Sequence, residues 1–339
     1  MNTKRETNKN ILFIATGGTV ASSEGGNGLT PALTGDLILA KVPEVDHLCN
    51  LSVLQLMNID STNMAPDNWL KIAETILEEY DGYDGFVILH GTDTMAYTAA
   101  ALSYLIQNSP KPIVLTGSQK PISNPFTDAK LNIYQSVLYA LDKYSCNVSI
   151  VFNNQVIAGT RVKKQRTRSY NAFESMNFTP LAHFIENRIL RRVKDPEALE
   201  GELLSYDKMC DRVAVLKLSP GLSPNIFKAF EQDVDALILE TFGIGGIPEY
   251  DGHSFETAIR DFIAKGKTII LTTQVPEEGL DLSRYEVGNK YTALEGVLEA
   301  GNMTTEAIVA KIMWILGQTD KPREIKKMFY KIINYDRGE

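Results

Sequence analysis

The sequence predicts an α/β protein of two domains: a larger N-terminal one, a mostly parallel sheet with flanking helices, and a smaller C-terminal parallel-sheet domain. Three observations carry this. Short apolar runs such as Ile11–Ile14, Phe86–Leu89 and Val148–Phe152 end in small polar turns, as strands buried on both faces do. Between them lie stretches of helical period, so strand and helix alternate as in a sheet covered on both sides. Between about Ile185 and Asp211 the composition shifts to charge, with few aromatic or β-branched residues. The expected boundaries are therefore 1–190 for the N-terminal domain, 191–212 for a linker and 213–339 for the C-terminal domain.

The first strand begins at Ile11 and runs into Gly17, Gly18 and Thr19, where two glycines allow a sharp, bare turn. Ala21 to Pro31 is small and Gly-rich, and reads as a mobile loop that could close as a lid. A short helix over Gly35 to Lys41 and a strand over Leu51 to Ile59 follow, the strand ending in Asp60-Ser61-Thr62-Asn63. Pro66 to Tyr80 reads as an amphipathic helix with Pro66 in its first turn and Trp69, Ile72, Ile76 and Leu77 on one face. The strand Phe86 to Leu89 runs into His90-Gly91-Thr92-Asp93-Thr94, and a helix over Ala96 to Gln107 follows. Lys111 to Leu115 is a further strand, ending in Thr116-Gly117-Ser118-Gln119. The helix Thr127 to Tyr144 has Asp128 as a first-turn anion. The fifth strand, Val148 to Asn153, precedes a basic run from Arg161 to Arg168. In the second domain strands are expected over Val213 to Leu218, Ala236 to Glu240 and Thr268 to Thr272, and helices over Asn225 to Gln232, Ser254 to Lys265 and Thr304 to Leu316.

With 339 residues, 44% hydrophobic and 22% charged, the chain can bury a sizeable core. A formal net charge of -8 argues against a general nucleic-acid binder. Three scattered cysteines, Cys49, Cys146 and Cys210, have neither zinc nor C-x-x-C spacing and read as buried thiols in a reducing compartment. The polar start, Met1 to Asn10, and the short apolar run after it do not read as a signal peptide, and no stretch reads as a membrane span. A cytoplasmic location, no membrane contact and no metal or organic cofactor are expected.

Chemistry is expected at three strand ends: Thr19, the cluster Asp60, Ser61 and Thr62, and Thr92 with Asp93. Parallel strands would present all three along one sheet edge, the edge at which α/β proteins bind ligands. A threonine hydroxyl is a weak nucleophile and needs a group to take its proton. A carboxylate is a poor base for an alcohol, whereas a lysine whose pKa is lowered by burial can accept the proton through an adjacent hydroxyl. Lys164, expected at the end of the fifth strand, would complete a relay of Thr92, Lys164 and Asp93; the basic run otherwise reads as a solvated loop or a phosphate patch, and Lys164 is singled out from it by the resemblance that follows. The competing structural reading is helix capping: threonine and aspartate are good N-caps, and either Thr92 or Asp93 could cap the helix that follows.

These residues resemble a known family. Ala15-Thr16-Gly17-Gly18-Thr19, Asp60-Ser61, His90-Gly91-Thr92-Asp93-Thr94 and a lysine after the fifth strand look like the bacterial-type asparaginases, most of all their cytoplasmic, type I branch. T-G-S-Q-x-P at Thr116 to Pro121, T-D-A-x-x-N at Thr127 to Asn132 and M-T-T-E-A at Met303 extend the resemblance along nearly the whole chain. It implies hydrolysis of the side-chain amide of L-asparagine to L-aspartate and ammonia. Thr19 would be the nucleophile, and Thr92, Asp93 and Lys164 the activating group. Asp60, Ser61, Thr62, Thr92 and Asp93 would hold the substrate, and a homodimer or homotetramer would be the working form.

Two departures accompany the resemblance. Many members carry a lid tyrosine, but no tyrosine lies between Thr19 and Pro31, where Leu29 stands near that place, and Tyr285 is a weak substitute. The second domain's Gly243 to Pro248 loop lacks the asparagine that some secreted members offer to a neighbouring subunit. Alternatives are a glutamine-preferring amidohydrolase and the glutamine amidase of a tRNA-dependent amidotransferase. With the first strand at Ile11 the extra N-terminal domain of that amidase is not expected. A non-enzymatic amino-acid sensor could use the same strand ends to bind without turnover, but would not require Thr19, Thr92, Asp93 and Lys164 together.

Overall fold

The computed structural model describes residues 7–25, 28–31, 33–193, 202–250, 253–284, 290–291 and 293–338. The chain divides into two compact units, Met1–Asp207 and Lys208–Glu339. Residues 194–201, within the expected linker, lie outside the described residues.

The first unit starts with β1 (Asn10–Gly17), whose residues from Ile11 onward are buried. The Gly-rich segment after Thr19 is a hairpin and not an irregular loop: β2 (Ser22–Gly25) and β3 (Gly28–Pro31) pair antiparallel. After α1 (Gly35–Leu39), β4 (Asn50–Ile59) pairs parallel with β1. Helix α2 (Pro66–Glu78) buries Trp69, Ile72, Ala73 and Ile76. Full burial of each large apolar side chain is worth about 1.5–3 kcal/mol. Strand β5 (Gly85–Leu89) is wholly buried and leads to α3 (Met95–Leu105), the two-residue β6 (Ile106–Gln107) and β7 (Ile113–Thr116). Helix α4 (Ala129–Leu141) and β8 (Val148–Phe152) follow.

Beyond β8 the chain departs from strand-helix alternation. Asn153 and Asn154, both at positive φ, turn it back into β9 (Gln155–Ala158), antiparallel to β8. Lys164 is thus not at the end of the fifth strand. It closes β10 (Val162–Lys164), which forms its own antiparallel pair with β11 (Phe173–Ser175). β12 (Ala182–Ile185) and β13 (Arg188–Arg191) finish the main sheet, and β14 (Leu204–Ser205) pairs with β6, so part of the expected linker packs with the first unit. The sheet order is β13-β12-β9-β8-β7-β5-β1-β4, parallel from β8 through β4 and antiparallel on the other side.

The second unit is a four-stranded parallel sheet in the order β15 (Val213–Lys217), β16 (Ala236–Thr241), β19 (Thr268–Thr273), β20 (Val297–Glu299). Between β16 and β19 sits a small hairpin of β17 (Glu249–Tyr250) and β18 (His253–Ser254). The helix expected over Asn225 to Gln232 is shorter: a 3-10 turn at Pro224–Ile226 capped by Ser223, then α5 (Phe227–Phe230). Ser254 caps α6 (Phe255–Ala264), and Thr304 caps α7 (Thr305–Gln318). Sequence reading passed over β20 and α8 (Pro322–Tyr330). The core gathers Leu237, Leu239, Phe255, Ile259, Phe262 and Ile269.

Candidate active site

Strands β5, β1 and β4 are consecutive and parallel, so their C-terminal ends meet at one edge. Glycines bring the loops into backbone contact. Gly17 at φ 109° and Gly18 at φ 87° hold conformations that side chains rarely adopt. A Cβ on Gly18 would stand 2.4 Å from Gly91 Cα, and one on Gly91 would stand 2.5 Å from Ser61 Oγ. The residues immediately before Thr19 and Thr92 therefore pack backbone against backbone, with the Ser61 side chain also against Gly91. Gly91 is a residue that sequence reading did not single out, although its place in a Gly-Thr pair after a buried strand matches that of Gly18.

The hydroxyls at this edge divide into those consumed by the fold and those presented. Thr16 is buried and donates to Leu89 O at 2.8 Å, tying β1 to β5. Thr94 donates to Ser61 O at 2.7 Å, tying the third loop to the second. Thr19 opens the 3-10 turn Thr19–Ala21 and is half-buried. Asp60 caps the turn Ser61–Asn63, accepting from the Thr62 backbone N–H and from the Thr62 hydroxyl, both at 2.9 Å. Ser61 is buried beneath them, while Asp60 and Thr62 are exposed.

Neither Thr92 nor Asp93 caps the helix that follows. The N-cap of α3 is Thr94, whose side chain makes no capping bond. The two residues turn instead to Lys164, whose Nζ donates to Thr92 Oγ1 at 2.8 Å and to Asp93 Oδ1 at 2.6 Å. Thr92 is buried, Lys164 is 16% exposed and Asp93 57% exposed, so the cation sits between a covered hydroxyl and an open carboxylate. Lys164 is thus brought from the separate sheet of β10 and β11 onto the ends of the main sheet.

Two partners of this group were not assigned a part from the sequence. Thr92 Oγ1 donates to Gln119 Oε1 at 3.2 Å, and Gln119 Nε2 donates to the carbonyls of Ser169 at 3.1 Å and Arg166 at 3.5 Å. Asp128, expected as a first-turn anion, caps no backbone N–H of its helix. Its carboxylate accepts from Gln119 N at 3.0 and 3.1 Å and from Lys120 N at 3.1 Å.

His90 supports the loop from behind. It is completely buried, which pushes its pKa down to about 4 and leaves the ring neutral. Gly91 O can only accept, so Nδ1 at 2.7 Å carries the ring proton, and Nε2 accepts from the Thr98 hydroxyl at 2.9 Å. Thr98 in turn accepts from Trp69 Nε1 at 3.0 Å, which joins α2, α3 and the Thr92 loop in one directed chain.

The geometry thus brings six of the seven expected residues, all but Lys164, onto three adjoining loops, and Lys164 onto the third loop from outside. Tyr285 lies outside the described residues. Among the described residues no group of three His, Cys, Asp or Glu could hold a metal ion, and no helix is long and apolar enough to cross a membrane.

The model of the N-terminal asparaginase domain matches residues 10–196, and that of the glutaminase/asparaginase C-terminal domain matches residues 212–329. The chain belongs to the asparaginase/glutaminase family. It is 39% identical to the L-asparaginase of Thermococcus kodakarensis, over 95% of this chain and 97% of that protein. A structure of the Thermococcus kodakarensis enzyme superposes with a TM-score of 0.91, covering 97% of this chain and 99% of that one at 38% identity. L-asparaginase 1 of Escherichia coli is 35% identical over 94% of this chain and 95% of that protein. A glutamyl-tRNA(Gln) amidotransferase subunit of Methanosphaera stadtmanae is 34% identical over 94% of this chain, but only 74% of that longer protein is matched. As a member of this family the chain has hydrolytic amidase chemistry of the L-asparaginase type, on the known fold of two α/β domains.

Proposed function

We propose that this protein hydrolyses the side-chain amide of L-asparagine to L-aspartate and ammonia, with Thr19 as the nucleophile. The observation that carries the reading is the Lys164 contact with Thr92 and Asp93, one residue beyond the place where the Gly91 backbone meets Gly18. A pure binding protein needs no lysine joined to a buried hydroxyl at that point. Likeness to the two L-asparaginases over nearly the full chain supports the same substrate.

In this reading Thr19 Oγ attacks the amide carbon and its proton passes to the Thr92–Lys164 pair. Collapse of the tetrahedral intermediate breaks the C–N bond, the leaving nitrogen takes up a proton, and ammonia departs. The resulting ester on Thr19 is then attacked by water, which releases L-aspartate and restores the hydroxyl. Asp93 balances the charge on Lys164 as protons move. Asp60 and Asp93, both exposed carboxylates, receive the substrate's α-ammonium, and Ser61 and Thr62 receive its α-carboxylate. Backbone N–H groups near Thr92 stabilise the oxyanion, a contribution that is commonly the largest in acyl transfer. The working form is a homodimer or homotetramer.

The test is ammonia release by the purified protein from L-asparagine and L-glutamine at matched concentrations. Asparagine turnover far above glutamine is expected. Equal or glutamine-dominant turnover would move the protein to the glutaminase branch of the family, and silence on both in a folded protein would favour a sensor.

A further inference from the structure

We infer that Gln119 is a positioning residue that fixes the direction of the Thr92 hydroxyl, turning its proton away from Lys164 and its lone pairs toward it. The inference deepens the amidohydrolase reading and rests on it for its kinetic consequences.

The side-chain amide of Gln119 has only one orientation that satisfies its neighbours. Its nitrogen faces the carbonyls of Ser169 and Arg166, which can only accept, so its oxygen must face Thr92. Thr92 has one proton to give, and it goes to that oxygen. The lone pairs of Thr92 Oγ1 are then turned to Lys164 Nζ, which donates to them at 2.8 Å. Gln119 therefore gives the hydroxyl a single direction, its proton toward the amide and its lone pairs toward Lys164.

The placement of Gln119 is independent of its side chain. Asp128 grips the Gln119 backbone N–H with both carboxylate oxygens, and Asn132 Nδ2 holds Asp128 at 3.2 Å and Gly117 O at 3.0 Å. The same loop reaches the other threonine, since Ile122 N donates to Val20 O in the Thr19 turn. A side-chain substitution at 119 thus leaves the loop's anchorage in place.

Gln119→Leu removes the acceptor while the backbone anchorage stays, and loss of the fixed hydroxyl direction lowers kcat about tenfold, with KM changed less than about twofold. An unchanged kcat, or a loss carried by KM alone, would overturn the inference.

Neutron diffraction of the deuterated wild-type protein at neutral pH decides the point without turnover. A deuteron on Thr92 Oγ1 directed at Gln119 Oε1 is expected. One directed at Lys164 would end the inference even in an active enzyme, while the expected direction in an inactive protein would leave the inference standing and the amidohydrolase reading refuted.

Discussion

Gly18 and Gly91 meet backbone to backbone, so closely that a Cβ on either has no room: on Gly18 it would lie 2.4 Å from Gly91 Cα. This contact fixes the spacing of the loops that carry Thr19 and Thr92. At Gly18 the positive φ of 87° adds backbone strain to any substitution. Gly18→Ala should therefore cost on the order of 3 kcal/mol. At Gly91 the nearest atom is the Ser61 hydroxyl at 2.5 Å, so Gly91→Ala should push Ser61 aside and lower activity more than stability. Thermal unfolding and ammonia release measured together separate the two effects.

Removing the cation should uncouple binding from turnover. Lys164→Met keeps the length of the side chain but cannot bond Thr92 or Asp93, which the lysine holds at 2.8 and 2.6 Å. A fall in kcat of about 10²–10⁴ is expected from the loss of a proton-transfer group. KM should change far less. An unaltered rate would remove Lys164 from the relay while leaving Thr19 in its assigned place.

The neutral, buried His90 makes the first unit sensitive to acid. Its pKa is about 4 in the folded protein against an ordinary 6.5, so between those values the unfolded chain binds the proton and the folded one does not. Stability is full above pH 6.5 and falls as the pH is lowered toward 4, by about 3 kcal/mol in total. His90→Gln can retain a donor and an acceptor, and its unfolding free energy should lack this part of the slope. Denaturant melts at several pH values measure it, and parallel slopes in the two proteins would contradict the assignment.

In the second unit Lys311 and Asp336 form a fully buried ion pair at 2.5 Å, with Lys311 also donating to Lys331 O at 2.7 Å. Burial pulls the Lys311 pKa down, and the Asp336 charge opposes that pull. Lys311→Met takes the cation from a buried carboxylate, which keeps the Ile333 N–H at 3.1 Å, and should cost about 3–5 kcal/mol, whereas the double variant Lys311→Met, Asp336→Leu should recover most of it. Calorimetric melting of the three proteins tests this, and additive losses would argue against a paired role.

Strands β1 and β5 were legible because each is buried on both faces and ends in a short polar turn. β1 and β5 begin within a residue of where their apolar runs do. Lys164 was reached by resemblance and its strand was misplaced. The Asn153–Asn154 turn that sends β9 back against β8 leaves no pattern distinct from a strand end. Gln119 was legible only as part of a motif, and Asp128 only as that and as a first-turn anion, since the partners that matter are 27 and 9 residues away and no local period records such contacts. The short β20 and the strongly polar α8 lacked the long apolar signal by which the other elements were read.

The role of Thr19 is tested most directly by ammonia release from L-asparagine, measured for the wild-type protein and for Thr19→Ala side by side, with equal folding established by circular dichroism. Turnover is expected in the first and a rate lower by about 10³ or more in the second, as when a nucleophile is lost. Release by Thr19→Ala at near the wild-type rate would contradict the assignment.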